Sequence, residues 1–335
     1  MFEGRYVFAR ITEFVPRYEI DKFVAKYKGN YRTHGFSCKN QFLHLLFGQL
    51  TACSSLRDIW LCLAAHGNST YHLGFREMVD PSTLSKANER RDYRIWDEPG
   101  YYLIGLVRPM YRSEDLEDTC VDNQLFALDP TSISISIKLA TWALGNYNKG
   151  AVKMHTLLDL RGSIPTQIFI TDGRLHDGSV LKDVEYYVNA LYTADKAYTD
   201  SESLFHINTF GTWYVMRPKS NMRNEVVRLL DDDSSASSIC GDCVIKLTGH
   251  NTKRLYPDEI RLVRARDSET GEIIDFITNN FELSAQEVAC IYRHRWDIEV
   301  FFKWIAKHRH QDYMGLFREC SQGSSLDNIS YSCEN

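Results

Sequence analysis

A chain of 335 residues is long enough for one large domain or two ordinary ones, and at 44% hydrophobic and 25% charged it has the composition of a globular protein with a real core. No apolar run approaches the roughly 18 residues of a membrane span, and the opening MFEGRYVFAR lacks a signal-peptide apolar stretch, so no membrane contact and a cytoplasmic location are expected. The net charge of −5, from 39 basic and 44 acidic residues, argues mildly against nucleic-acid binding.

The charge is segregated, however. Residues 1–57 hold nine Lys or Arg and four acids, while 114–122 and 231–233 are acidic, a distribution that permits a nucleic-acid contact at one end. Nine scattered cysteines cannot all pair, and reduced thiols are expected. Cys240-Gly-Asp-Cys243 is the one close pair; a zinc knuckle needs a second, so the pair reads as a polar turn.

Residues 1–115 read mainly as helices, with apolar Phe42, Leu45, Leu46, Leu50, Leu56, Ile59 and Leu63 at spacings of three and four. Asp80-Pro81-Ser82 suits a helix start, and the following KANERRDYR places Lys86, Arg90, Arg91 and Arg94 on one short helix. That face is either a DNA-reading surface through Arg90 and Arg91 or a solvated basic face. The acidic stretch 113–123 reads as a linker.

Strand-like texture follows. LFALD (125–129) is a short apolar run ending on an acid, and 151–160 and 164–173 flank Arg161-Gly162-Ser163 as a hairpin. The segment 177–191 reads as a helix capped by Asp177, and LYTAD (191–195) is a second run ending on an acid. Residues 205–280 read as β-rich, and Ser284 with Glu287 forms a capping box for a long helix reaching about Lys307. Strand, hairpin, helix, strand is an α/β order with a mixed sheet.

Two acids ending short strands, Asp129 and Asp195, join Glu299 on the long helix as candidate ligands for hard divalent ions, the kind of pair that activates water and stabilises a leaving oxygen in phosphodiester cleavage. The helix sets Tyr292, Arg295, Glu299 and Lys303 at intervals of 3, 4 and 4 beside a buried stripe of Val288, Ile291, Ile298, Phe302 and Ile305. Spacing alone leaves two readings open: an ion-pair ladder, or a metal ligand between phosphate-gripping neighbours.

YRHRWDIEVFFKWI resembles the signature helix of the insertion-sequence-4 family of DDE transposases, Tyr-x2-Arg-x3-Glu-x6-Lys, with Tyr292, Arg295 and Glu299 in its first three positions. FALDPTS and ADKAYTD are similar to the family's two Asp motifs, and GAVKMHTLLDLRGSIP, ITDGRLHD, RPKSN, FITNNF and the N-terminal GRYVFARITEFVPRYEIDKFV also resemble family segments. The resemblance implies an α/β fold: a ribonuclease-H-like catalytic domain over 120–310 with a β-rich insertion near 205–280, preceded by a helical, DNA-binding domain over 1–115. It implies metal ligation and catalysis by Asp129, Asp195 and Glu299, and two Mg²⁺ ions for which Mn²⁺ can substitute. It implies DNA-phosphate contacts by Tyr292 and Arg295, with Lys303 and Lys307 as further DNA contacts. Its partners are the double-stranded terminal inverted repeats and target DNA, engaged by a homodimer at the bacterial nucleoid, and its reaction is cut-and-paste transposition. A hairpin intermediate is also implied, for which Trp213 is either a base-stacking residue or a core residue.

Three features depart from the pattern. Ala306 stands where the family has lysine, Pro130 follows the first acid, and the tail 308–335 is polar where apolar helices are the rule. HRHQDYMGLFREC admits codons whose next frame reads IGIKTIWDYSENA, similar to the family's usual continuation, so a frame slip near codon 308 and an unfolded tail are expected. The second function class is a catalytically inactive remnant that only binds DNA. A haloacid-dehalogenase-like phosphatase would need an acid where Thr131 stands.

Overall fold

The computed structural model describes residues 7–111, 121–135, 150–230, 238–267 and 270–307. The expected linker falls mostly outside these residues, and the tail 308–335 falls wholly outside them. The chain divides into two compact units, the first built on residues up to Leu106 and the second on the sheet-bearing residues from Val107 to Phe302. No helix among the described residues is long and apolar enough to cross a membrane.

The first unit is helical, with α1 Val7–Glu13, α2 Arg17–Lys26, α3 Cys38–Leu50, α4 Leu56–Ala65, α5 Pro81–Arg90 and α6 Arg94–Val107. α5 starts as its sequence requires: Asp80 caps it by accepting from Ser82 N, and Pro81 takes the first turn, where its missing N–H costs nothing. The expected apolar stripe holds on α4, where Ile59 and Leu63 are buried, but is turned on α3: Phe42, Leu45 and Leu46 are half-buried and Leu50 is exposed, while Leu43 and Phe47, with polar Asn40, Gln41 and His44, lie in the interior. Two of them are bonded there: Gln41 Nε2 donates to Asn88 Oδ1 at 2.6 Å, and His44 Nδ1 meets Asn40 O at 2.7 Å.

The basic helix also differs from expectation. α5 ends at Arg90, Arg91 is its extended C-cap, and Arg94 belongs to α6. Arg90 is exposed. Arg91 instead turns inward, donating to Gln41 Oε1 at 2.6 Å and to the Phe36 carbonyl, with its guanidinium over the Phe36 ring. A guanidinium spent on the interior leaves Arg90 and Lys86 as that helix's basic surface.

The second unit is built on one nine-stranded sheet in the order β3-β2-β1-β4-β5-β9-β8-β7-β6. Its strands are β1 Leu125–Ile135, β2 Gly150–Asp159, β3 Ile164–Asp172, β4 Leu191–Ala194, β5 Trp213–Met216, β6 Asn224–Leu229, β7 Ile239–Leu247, β8 Ile260–Arg266 and β9 Ile273–Thr278. β1, β4 and β5 run parallel, while β2–β3 and β5–β9–β8–β7–β6 pair antiparallel. A mixed sheet with a helical N-terminal region is the α/β, ribonuclease-H-like architecture that the sequence predicts. The expected hairpin forms, and its turn holds Gly162 and Ser163 at positive φ of 82° and 51°.

Two local readings are overturned. Residues 183–190 form no helix; only a 3-10 turn spans Asp177–Lys182, and its cap is the His176 side chain, which accepts from Gly178 N. The Cys240–Cys243 segment is part of β7, with a register shift between Ile239 and Gly241, not a turn. Both thiols are free. The segment 205–280 holds β5 to β9 but also the end of α7 Ser201–Thr209 and the whole of α8 His250–Leu255.

Cover for the sheet comes from both sides. Leu204 and Ile207 of α7 join the core with Phe126, Leu128, Tyr192, Ala194, Tyr214 and Met216. α9 Ala285–His294 packs against β5, β9, β8 and β7, and its start is anchored by the buried Arg261–Asp242 pair at 2.6 Å, whose guanidinium also reaches the Leu283 carbonyl. The capping box forms as predicted, with Glu287 N donating to Ser284 Oγ at 3.2 Å and Ser284 N donating to Glu287 Oε2 at 2.7 Å. Ser284→Ala is expected to cost about 1 kcal/mol. Urea unfolding followed by circular dichroism measures this, and an unchanged midpoint would mean the cap contributes nothing.

Candidate active site

The register of β1 and β4 makes the site. Leu128 lies opposite Ala194, so the next residues in the same register are Asp129, midway along β1, and Asp195, just past the end of β4, on adjacent parallel strands about 4.8 Å apart. On the other side of β4, Ala194 pairs with Met216, which places Arg217 at the corresponding position beyond β5. Side chains alternate along a strand. Phe126 and Leu128 face the α7 core, so Asp129 faces the other way.

Over that opposite face come α9 and α10 Trp296–Lys307. The sequence predicts one long helix here; the structure has two, with Arg295 between them as C-cap of α9. This break positions Arg295. Its guanidinium is buried, with Nη2 donating to Glu299 Oε1 at 3.0 Å and Nη1 3.8 Å from Asp129 Oδ2. It also lies 5.6 Å from the ring centre of Tyr292, which is half-buried. The second acid, Asp195, completes the group electrostatically: burial first, then Glu299, Asp195 and Asp177, push the Asp129 carboxyl up to about 7, against the opposing effect of Arg295.

Asp129 and Asp195 thus share a register position, and Arg295 links the first of them to Glu299, with Tyr292 beside its guanidinium. Lys303 is exposed on α10, one turn after Glu299, and Lys307 ends that helix. The division between the two units falls after Phe302, so both lysines fall outside the unit that holds the acids. Trp213 is not at this site. It opens β5 opposite Leu191, four residues and about 13 Å along the strand from the level of Asp195. Pro130 does not end β1, which continues to Ile135.

Four residues the sequence left unassigned join the neighbourhood. Asp177, read as a helix cap, is instead paired with Lys153 at 2.8 Å and adds to the negative field on Asp129. Lys153 also donates to Leu175 O at 3.0 Å, which fixes that ion pair against β2. Tyr198 is fully buried, and its hydroxyl meets His155 Nδ1 at 2.9 Å while His155 Nε2 meets Thr171 Oγ1 at 3.0 Å. Burial holds the His155 imidazole down at about 4, so it is neutral near pH 7. Asp177 and Tyr198 sit in ITDGRLHD and ADKAYTD, so the signal was in segments already singled out.

The donor set suits a hard divalent cation: carboxylate oxygens only, one of them buried and under-neutralised by its surroundings. Among the described residues, no three His, Cys, Asp or Glu side chains converge closely enough to hold an ion as they stand. Arg295 holds Asp129 and Glu299 from between.

Acids in one register of adjacent parallel strands, with a helix-borne glutamate bonded to the arginine beside the first of them, make a carboxylate cluster of the kind that handles hard cations. Residues 117–314 match the family described as Transposase DDE domain, more than half of the chain, and the protein belongs to that family. The chemistry of that family depends on divalent metal. Residues 3–76 match Domain of unknown function (DUF4372). The chain is 28% identical over 228 residues to "Putative transposase y4zB" of Sinorhizobium fredii, covering 67% of this chain and 62% of that protein. It is 27% identical over 231 residues to "Probable transposase for insertion sequence element IS5377" of Geobacillus stearothermophilus, covering 68% and 58%. A third relative, "Putative transposase for insertion sequence element IS4SA" of Synechocystis, is 27% identical over 264 residues, covering 75% and 71%. The chain thus spans about three fifths of the length of the first two relatives.

Proposed function

We propose that this protein is a DNA transposase that cuts and joins strands at the ends of an insertion sequence by a cut-and-paste route, through Asp129, Asp195 and Glu299. The observation that carries the reading is the shared register of Asp129 and Asp195 beside Glu299, with Arg295 bonded to the glutamate at 3.0 Å. Two divalent ions, Mg²⁺ or in its place Mn²⁺, would supply an activated attacking oxygen and a stabilised leaving oxygen. The three carboxylates would hold them, and the protein's own share of the work is positioning. Burial keeps Asp129 out of bulk water, so its interactions with nearby charges are less screened. Arg295 fixes Glu299 through a charge-assisted hydrogen bond and presents a fork matched to phosphate oxygens. Tyr292 carries a hydroxyl on the preceding turn of the same face, a second group for the DNA backbone, and Lys303, Lys307 and Arg90 are further contacts. The partners are double-stranded terminal repeats and target DNA, bridged by a homodimer.

The test is a labelled duplex carrying the source element's terminal repeats, incubated with Mg²⁺, Mn²⁺ or EDTA. Nicking at the repeat end with either metal and none in EDTA is the expected result. Specific binding without nicking in any metal would leave only the DNA-binding remnant.

A further inference from the structure

A cleft in the helical unit is lined by none of Asp129, Asp195, Arg295 and Glu299. Its volume is about 320 Å³, and it lies among α2, the start of α3 and residues 71–76. The interior side of the cleft is apolar, with buried Ile20, Leu43 and Phe75 and half-buried Val15 and Phe42; exposed Tyr71 completes the apolar lining. Around it stand three exposed cations, Arg17, Lys39 and Arg76, against one acid, Asp21. None of the three cationic side chains makes an ion pair or hydrogen bond among the described residues. Burial, then Arg17 and Arg76, lower the Lys39 ammonium, and Asp21 opposes them only in part. Three like charges held together over apolar walls destabilise one another until an anion arrives. Pro16 at the start of α2 makes no side-chain cap bond to the helix's first N–H groups.

Three cations suit a phosphate. The apolar floor asks for something more, because a phosphate alone would leave the open side of Val15, Phe42 and Tyr71 facing water. A nucleotide supplies both, and the volume suits one small planar group. A base within a duplex would first have to leave its stack at a cost of a few kcal/mol, whereas an unpaired base enters freely. Cationic rims with aromatic platforms are the general solution for single strands.

We propose that this cleft binds single-stranded DNA, with Arg17, Lys39 and Arg76 on the backbone phosphate and an unpaired base against Phe42 and Tyr71. The site lies wholly within the matched region of unknown function, residues 3–76, and assigns that region a ligand. The proposal rests on the reading that the chain acts on DNA.

The experiment measures anisotropy of a fluorescein-labelled 20-nucleotide single strand on the full chain, against a duplex of equal length and against thymidine monophosphate as competitor. The triple variant Arg17→Gln, Lys39→Gln, Arg76→Gln should weaken single-strand binding about 100-fold at 0.1 M salt and flatten the salt slope by about 2, the size expected for three phosphate neutralisations. Asp21→Asn should tighten binding about fivefold on the same scale, a gain that misfolding cannot mimic. Wild-type protein without measurable single-strand binding would overturn the proposal. So would triple-variant binding within threefold of wild type, Asp21→Asn binding no tighter than wild type, a loss confined to the duplex, or thymidine monophosphate competing as well as the oligonucleotide. Nicking of the terminal-repeat duplex, followed in the same preparations, reports separately on the transposase reading.

Discussion

Glu299→Gln should leave the protein folded and bound to DNA while reducing metal-dependent nicking about 1,000-fold or more. The substitution is nearly isosteric, and the amide oxygen can still accept from Arg295 Nη2, which now donates to Glu299 Oε1 at 3.0 Å. The half-buried side chain keeps its place at the first turn of α10, so packing changes little. What disappears is a negative charge among acids whose purpose, on the proposed reading, is to hold cations. Losing one preorganised charged group from a reaction centre costs about 100- to 1,000-fold, and losing part of the ion's own cage adds to that. Gel analysis of nicked repeat ends, with duplex anisotropy alongside, measures both quantities. Nicking within tenfold of wild type would remove Glu299 from the catalytic group and with it the reading of the helix.

How much of this is legible in the sequence depends on how local each cause is. Asp129 and Asp195 are readable because each closes a short apolar run, a local pattern, although β1 itself runs on to Ile135. Their register is not readable, since parallel pairing depends on residues distant in sequence. The break at Arg295 is hidden for a similar reason: no Gly or Pro marks it, and both halves carry helical periodicity.

Asp177 misleads because an Asp followed by Gly-Ser-Val looks like a cap, while its true partner, Lys153, comes from β2. β6 escapes notice because every residue in NEVVRL is exposed at the sheet edge, leaving no alternation to see. Arg91 shows the limit of reading charge as surface. Its guanidinium is drawn inside by Gln41 and the Phe36 carbonyl, polar partners that an amphipathic template treats as solvent-facing.

The same cluster makes a second large effect, this time on stability. Asp129→Asn should raise the metal-free melting temperature of the sheet-bearing unit at pH 8, and a divalent cation should raise that of wild type but not of the variant. The Asp129 carboxyl is pushed from its ordinary 3.8 up to about 7, mainly by burial and further by Glu299, Asp195 and Asp177. The folded state therefore favours the protonated acid by about 4 kcal/mol. The sign follows from linkage. A carboxyl whose folded value lies above its unfolded value contributes stability that is fully present below about 3.8 and is lost as pH rises to about 7.

Metal-free wild type should accordingly become less stable relative to the Asn variant across pH 4 to 7, with the difference fully developed above 7. At pH 8 the variant gains up to about 4 kcal/mol, or roughly 8 to 16 °C for a unit of this size. Against this gain stands the charge attraction between Asp129 and Arg295, which acts across a long 3.8 Å; Arg295 keeps its bond to Glu299, so the offset is small. Cation binding offsets much of the wild-type deficit by mass action, about 2.7 kcal/mol at a concentration 100 times its dissociation constant. Calorimetry from pH 5 to 8, with EDTA, Mg²⁺ or Ca²⁺, tests each part. Parallel pH curves for the two proteins, or a variant less stable than wild type at pH 8 in EDTA, would show that Asp129 is not held ionised at a cost by its burial and its acidic neighbours.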